Sequence, residues 1–190
     1  MRPATLIREL AVALSASILL LAGGCFGSSS SSGGSGSGDS SNSGRRASDA
    51  KRKYPLDSIP TTTIKINDHA FRVWLAQEFD DKRPGIVEWG LMHVPSSEIA
   101  DDQGMLFVFS DERLRGFWMK NTIAPLDIAF ARIDGTIVKI WQMPPLTLET
   151  FSSIEPVMYA LEVKQGTFTR LGIKPGDALV LPDDVFKVHP

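Results

Sequence analysis

The sequence predicts a mainly β fold of the β-rich α+β kind: a compact single-domain β-sandwich or barrel with one or two short helices. Three observations point there. Short apolar runs, several alternating with polar residues, follow one another through the second two-thirds of the chain. Tight-turn sequences, Asn67-Asp68, Asp134-Gly135 and Pro175-Gly176-Asp177, separate them. Helical candidates are few and short, and no internal repeat is visible.

The elements follow in order. Thr62-Thr63-Ile64-Lys65-Ile66 alternates, turns at Asn67-Asp68 and resumes from His69 to Ala76, which reads as a hairpin. Asp80-Asp81 offers a cap, with Pro84 near a first turn, for a short helix running to about Met92. Met105 to Phe109 is a compact apolar strand. Phe117-Trp118-Met119 and Leu126 to Ile133 read as strands joined by the polar segment Lys120 to Pro125. Asp134-Gly135 then predicts a tight hairpin with Thr136 to Gln142, stopped by Pro144-Pro145. Val157 to Val163 alternates through Glu162. Gly166 to Leu171 gives one or two helical turns stopped by Gly172, and Ala178 to Leu181 is the last strand.

The first 24 residues read as a signal peptide. Arg2 and Arg8 supply a positive end, Leu10 to Leu21 is an apolar run too short to span a bilayer comfortably, and small residues lead to Cys25. Leu21-Ala22-Gly23-Gly24-Cys25 looks like a bacterial lipobox, with Ala22 where leucine is usual and Glu9 an unexpected acid before the apolar run. The expectation is an exported chain lipid-anchored to the cell envelope through Cys25, the only cysteine. In a double-membraned cell it would sit on the outer membrane facing the periplasm, since Phe26 rather than aspartate follows the cysteine. With that thiol acylated no disulfide is available, so the fold must rest on its core. Residues 25–58 read as a disordered linker, Ser/Gly-rich to Gly44 and then basic through Arg45, Arg46, Lys51, Arg52 and Lys53. A tether of about 30 residues spans roughly 30 Å. Residues 59–188 are expected to form the globular domain. The formal charge of −2 gives no strong field for a polyanion, and nucleic acid is not an expected partner.

Polar residues inside the apolar block are the candidate site. Lys120, Asn121, Thr122 and Asp127 interrupt otherwise hydrophobic sequence, and a polar group there must be solvated, paired or used. If the flanking strands pair across the turn, Asp127 falls near Lys120, Asn121 and Thr122, with Trp118 as a flat wall. Two readings stay open: a structural network around the turn, or a pocket orienting a polar ligand. No cofactor or metal is implied, because Met92, His93, Met105, Met119 and Met143 fit no ligand spacing and suit core filling. Glu149, Glu155, Glu162 and Asp127 supply carboxylates, but nothing in the sequence brings any two together at a glycosidase separation.

Several phrases together resemble a known family. Gly90-Leu91-Met92, Gly104-Met105-Leu106-Phe107, Phe117-Trp118-Met119-Lys120-Asn121-Thr122, Leu126-Asp127-Ile128 and Leu161-Glu162, followed by Gly166 and Leu171 to Asp177, occur in the order seen in the "domain of unknown function 192" family. The resemblance covers about Phe71 to Leu181. It implies a small β-rich domain, often exported or lipid-anchored, and carries over no reaction, cofactor or catalytic residue. Where members often carry basic residues flanking Gly-Leu-Met, this chain has Trp89 and Val94. The functional expectation is an envelope-anchored binding module for a small polar ligand, a glycan or a protein partner. A structural or assembly accessory is the alternative, and a hydrolase using Asp127 and Lys120 the third.

Overall fold

The structure, a computed structural model, describes residues 47–186. The expected signal peptide, Cys25 and the Ser/Gly-rich stretch lie outside the described residues, within which no helix is long and apolar enough to cross a membrane.

Among the described residues, nine strands and one α-helix form the domain. The strands are β1 (Thr61–Ile66), β2 (His69–Gln77), β3 (Gln103–Arg113), β4 (Gly116–Phe117), β5 (Leu126–Ala131), β6 (Ile137–Met143), β7 (Phe151–Ser152), β8 (Val157–Lys164) and β9 (Leu179–Val180). The helix α1 is Thr167–Leu171. Seven strands make one sheet in the order β6-β5-β8-β3-β2-β1-β9, and β4 pairs with β7 in a second, two-stranded sheet. Only β2 and β3 run parallel; the other pairs are antiparallel.

The large sheet curls until its outer strands meet. Thr136 bridges Ala178, the Ile137 N–H donates to the Asp177 carbonyl at 2.9 Å, and the Leu179 N–H donates to the Gly135 carbonyl at 2.8 Å. The edge-strand groups are thereby paired there rather than left open. Gly135 is required by this closure. Its φ is +83°, and a β-carbon would lie 2.2 Å from the Leu179 carbonyl oxygen.

Alternation along the strands sorts the apolar side chains into two cores. Inside the curl lie Ile64, Ile66, Phe71, Val73, Leu75, Leu106, Val108, Tyr159, Leu161 and Val163, plugged by Phe168 of α1. On the outer face lie Trp74, Met105, Phe107, Ile128, Phe130 and Ala160, covered by Leu56, Ile59, Ile86, Leu91, Val94 and Met119 from the N-terminal segment and loops. Strands β3, β5 and β8 are therefore buried on both faces over most of their length, which is why Met105 to Phe109 is a continuous apolar run.

Three expectations are corrected. The segment from Asp80 to Met92 is not an α-helix. The Asp80 carboxylate accepts the N–H groups of Lys82 and Arg83, a local turn that leaves only a short 3₁₀ piece at Ile86–Glu88. Phe117 to Met119 does not pair with β5; only Gly116–Phe117 is extended, and it pairs with β7. The packed chain also begins before Ile59. Ser48, Asp49, Arg52 and Leu56 are buried, and the Arg52 guanidinium donates to the Met92 and Tyr54 carbonyls at 2.8 and 3.1 Å. Arg52 is thus part of the fold, not of a solvated basic linker.

Candidate functional site

The sequence-predicted residues part company. Trp118 is half-exposed and Lys120 exposed, with the Lys120 ammonium 5.1 Å from the Trp118 ring centroid. Met119 to Thr122 is a tight turn: the Thr122 N–H donates to the Met119 carbonyl at 3.0 Å, and Asn121 takes φ +61°. Asparagine tolerates that left-handed conformation, so Asn121 serves the turn, and its carbonyl accepts the His93 N–H at 2.9 Å. Thr122 is buried beneath.

Asp127 does not join them. On β5 it points away from Leu126 and Ile128, which belong to the outer core, and is paired in register with Val163, which belongs to the inner one. Its Oδ2 accepts the Phe168 N–H at 3.2 Å at the start of α1. The Gly166 and Thr167 N–H groups also favour its charge, without reaching hydrogen-bond geometry at Oδ1. Burial is the larger effect, and the carboxyl is pushed above the usual aspartate range. The expected pocket of Lys120, Asn121, Thr122 and Asp127 is therefore not assembled, and the Asp127–Lys120 pair of the hydrolase alternative is not formed. Asp127 holds α1 across the end of the curl.

A cleft lies on the outer face instead, with a volume of ≈ 700 Å³. Trp118 and Thr122 line it, so part of the predicted block is in place. Its walls are aromatic: Phe107 and Phe109 from β3, Phe117 from β4, and Trp89 from the segment after the 3₁₀ turn. Phe117 packs edge-on to Phe107 and Phe130, with centroids 4.9 and 5.5 Å apart. The short β4–β7 sheet thus stands over the main sheet as one wall. At one end Glu78 accepts the Ser110 N–H and hydroxyl at 3.0 and 2.7 Å and pairs with Arg113 at 3.5 Å. Those bonds, the Ser110 N–H first, hold its carboxyl below the ordinary range. Arg115 donates to Asp111 at 2.6 Å and lies 3.9 Å over the Phe109 ring.

The floor is Glu162 of β8, only 4% exposed. In register opposite Met105 and Ile128, it faces the outer core. The Leu91 N–H favours the charge of the carboxyl, while Oε2 has no hydrogen-bond partner among the described residues. Burial pushes its pKa up to about 7, against the opposing pull of the Leu91 N–H and of Arg52. Arg52 sits behind it, its own pKa pushed down to about 10 by burial despite the nearby charges of Asp49 and Glu162. A buried acceptor left unpaired costs about 1–3 kcal/mol, so Oε2 is the group in this cleft that most needs a partner. The residue is present in the sequence among apolar neighbours, but alternation alone reads it as solvent-facing. The Gly90–Leu91 loop against it and the segment from Ser48 to Ile59, which brings Arg52, make it buried. Among the described residues no cluster of His, Cys, Asp and Glu has the geometry of a metal site.

Comparison with known proteins places the chain among relatives of unestablished activity. A crystal structure from Sinorhizobium meliloti 1021, described provisionally as a transcription regulator, is 38% identical with a TM-score of 0.58, covering 64% of this chain and 93% of that one. A protein of unknown function from Novosphingobium aromaticivorans DSM 12444 is 29% identical with a TM-score of 0.61, covering 67% and 90%. No functionally curated protein matches. Residues 62–181 match the DUF192 family, described as "Uncharacterized ACR", and the chain belongs to that family.

Proposed function

We propose that the chain is an envelope-anchored binding module whose outer-face cleft holds a small polar ligand. One observation carries this reading: Glu162 lies at the floor of a ≈ 700 Å³ aromatic-walled cleft with one carboxyl oxygen unpartnered among the described residues. Ligand sites are concave, largely apolar and furnished with a few placed polar groups, which is the composition found here. The anchoring half of the reading is supported by the positive end, the apolar run and the lipobox-like ending at Cys25.

The test is native mass spectrometry on detergent-extracted full-length protein after incubation with a small-molecule library. Wild type should retain a ligand of a few hundred daltons. Trp118→Ala, which removes a half-exposed wall, should retain at least about fivefold less, with a Tm within about 3 °C of wild type, since a change at an exposed side chain perturbs stability little. Failure of wild type to retain any library member would contradict the reading.

A second reading, a surface for a protein partner, has one observation in its favour. Leu114, Ile123, Leu146, Leu148 and Ile154 are exposed on the β3–β4, β4–β5, β6–β7 and β7–β8 connections. Those loops are tied in pairs by the Leu146 N–H to Thr122 carbonyl and Ser153 N–H to Arg115 carbonyl bonds.

A further inference from the structure

Resting on the cleft as a ligand site, we infer that its occupant is an organic cation: a protonated amine carried on an apolar or aromatic body. The charges around the cleft lead there. Asp49 and Arg52, buried behind the floor, offset one another. At the far end Arg113 and Arg115 are matched by Glu78 and Asp111. The carboxyl of Glu162 is left over, and Glu88, exposed at the lip, adds a second negative charge. Ionised Glu162 therefore has only Arg52 near it, a cation it shares with Asp49, so the two buried carboxylates have one positive charge between them. It is satisfied either by a proton or by a cation delivered through the cleft.

The walls favour the second solution. Trp89, Trp118, Phe107, Phe109 and Phe117 line the cavity, and aromatic rings attract an ammonium while also burying an apolar body. One such ring, Phe109, already carries the Arg115 guanidinium at 3.9 Å. An anion gains nothing here, and a neutral alcohol donates one hydrogen bond to Oε2 but brings no charge. Oε2 is closed to solvent in this structure, and Gly90, without a side chain, is the smallest residue that can lie against it. A β-carbon there would lie 3.4 Å from Glu162 Oε2 and 3.2 Å from Phe107, narrowing the approach to the carboxyl.

Three probes of similar size separate the possibilities: phenethylamine, 2-phenylethanol and 3-phenylpropionate, each titrated into full-length protein in detergent with tryptophan fluorescence as the readout. Phenethylamine should bind at least about tenfold more tightly than the other two at pH 8. Because Glu162 must be ionised and titrates at about 7, that affinity should fall about tenfold between pH 8 and pH 6. Glu162→Gln should lose both the preference and the pH dependence. Should the variant misfold, Glu88→Gln at the exposed lip replaces it, with a loss of about twofold expected. If 2-phenylethanol binds as well as phenethylamine, the cleft reading survives and the cation is overturned. If 3-phenylpropionate binds best, or no probe binds at millimolar concentration, the inference is likewise overturned.

Discussion

Gly90 and Glu162 meet at the floor of the cleft, where a β-carbon on Gly90 would stand 3.4 Å from the unpartnered Oε2. Gly90 also holds φ at +45°, a conformation that disfavours a side chain. Gly90→Ala should therefore cost about 1–2 kcal/mol in denaturant unfolding and weaken binding of a cleft ligand. Loss of stability with unchanged affinity would mean that the floor is not where the ligand sits.

Glu162 makes stability depend on pH. In the folded chain it keeps its proton up to about 7, whereas unfolded it releases it near 4.5. The folded state binds more protons across that window, so stability is highest below it, falls as pH rises and levels off above about 7. The full loss from this group is on the order of 3 kcal/mol at most. Urea unfolding of wild type and Glu162→Gln from pH 5 to pH 8 checks this, since the variant should lack this part of the decline.

Asp127 is expected to behave as a structural residue. Its carboxylate holds the Phe168 N–H across the end of the curled sheet. Asp127→Asn should cost about 1–3 kcal/mol and leave the affinity of a cleft ligand unchanged. A normal melting temperature with lost binding would return Asp127 to the site.

Closure of the sheet depends on Gly135. A β-carbon there would collide with the Leu179 carbonyl at 2.2 Å, against rigid backbone, at φ +83°. Gly135→Ala should destabilise by more than about 2 kcal/mol, measured by thermal unfolding. Gly176, at φ +96° but with nothing near its would-be β-carbon, should cost only about 1 kcal/mol as alanine.

Lipid attachment is a separate prediction. Intact mass of membrane-extracted protein should show a chain beginning at Cys25 with acyl mass added. An unmodified chain would remove the anchor from the account without touching the cleft.

What the sequence made legible was local. Asn67-Asp68 and Asp134-Gly135 turn the chain where expected, and Gly172 ends α1 with φ +69°. Trp118 and Thr122 do line a cavity. What it hid depends on contacts distant along the chain. The turn at Lys120 to Thr122 ties to Leu146 and His93, not to β5, so the expected pairing of the flanking strands across it brought Asp127 to the wrong neighbours. The alternation through Glu162 gave no sign of its burial, because the Gly90–Leu91 loop and chain from Ser48 to Ile59, read as mostly linker, cover the outer face and bury Arg52 beside it.

Proton counting tests the central claim most directly. Calorimetric titration of phenethylamine into the full-length protein at pH 7, in two buffers of different ionisation enthalpy, reads the protons displaced on binding. With Glu162 titrating at about 7, about half a proton should leave per ligand bound in wild type and none in Glu162→Gln. Binding with no proton release in wild type, or no binding heat at all, would contradict a cleft whose ligand is held by that carboxylate.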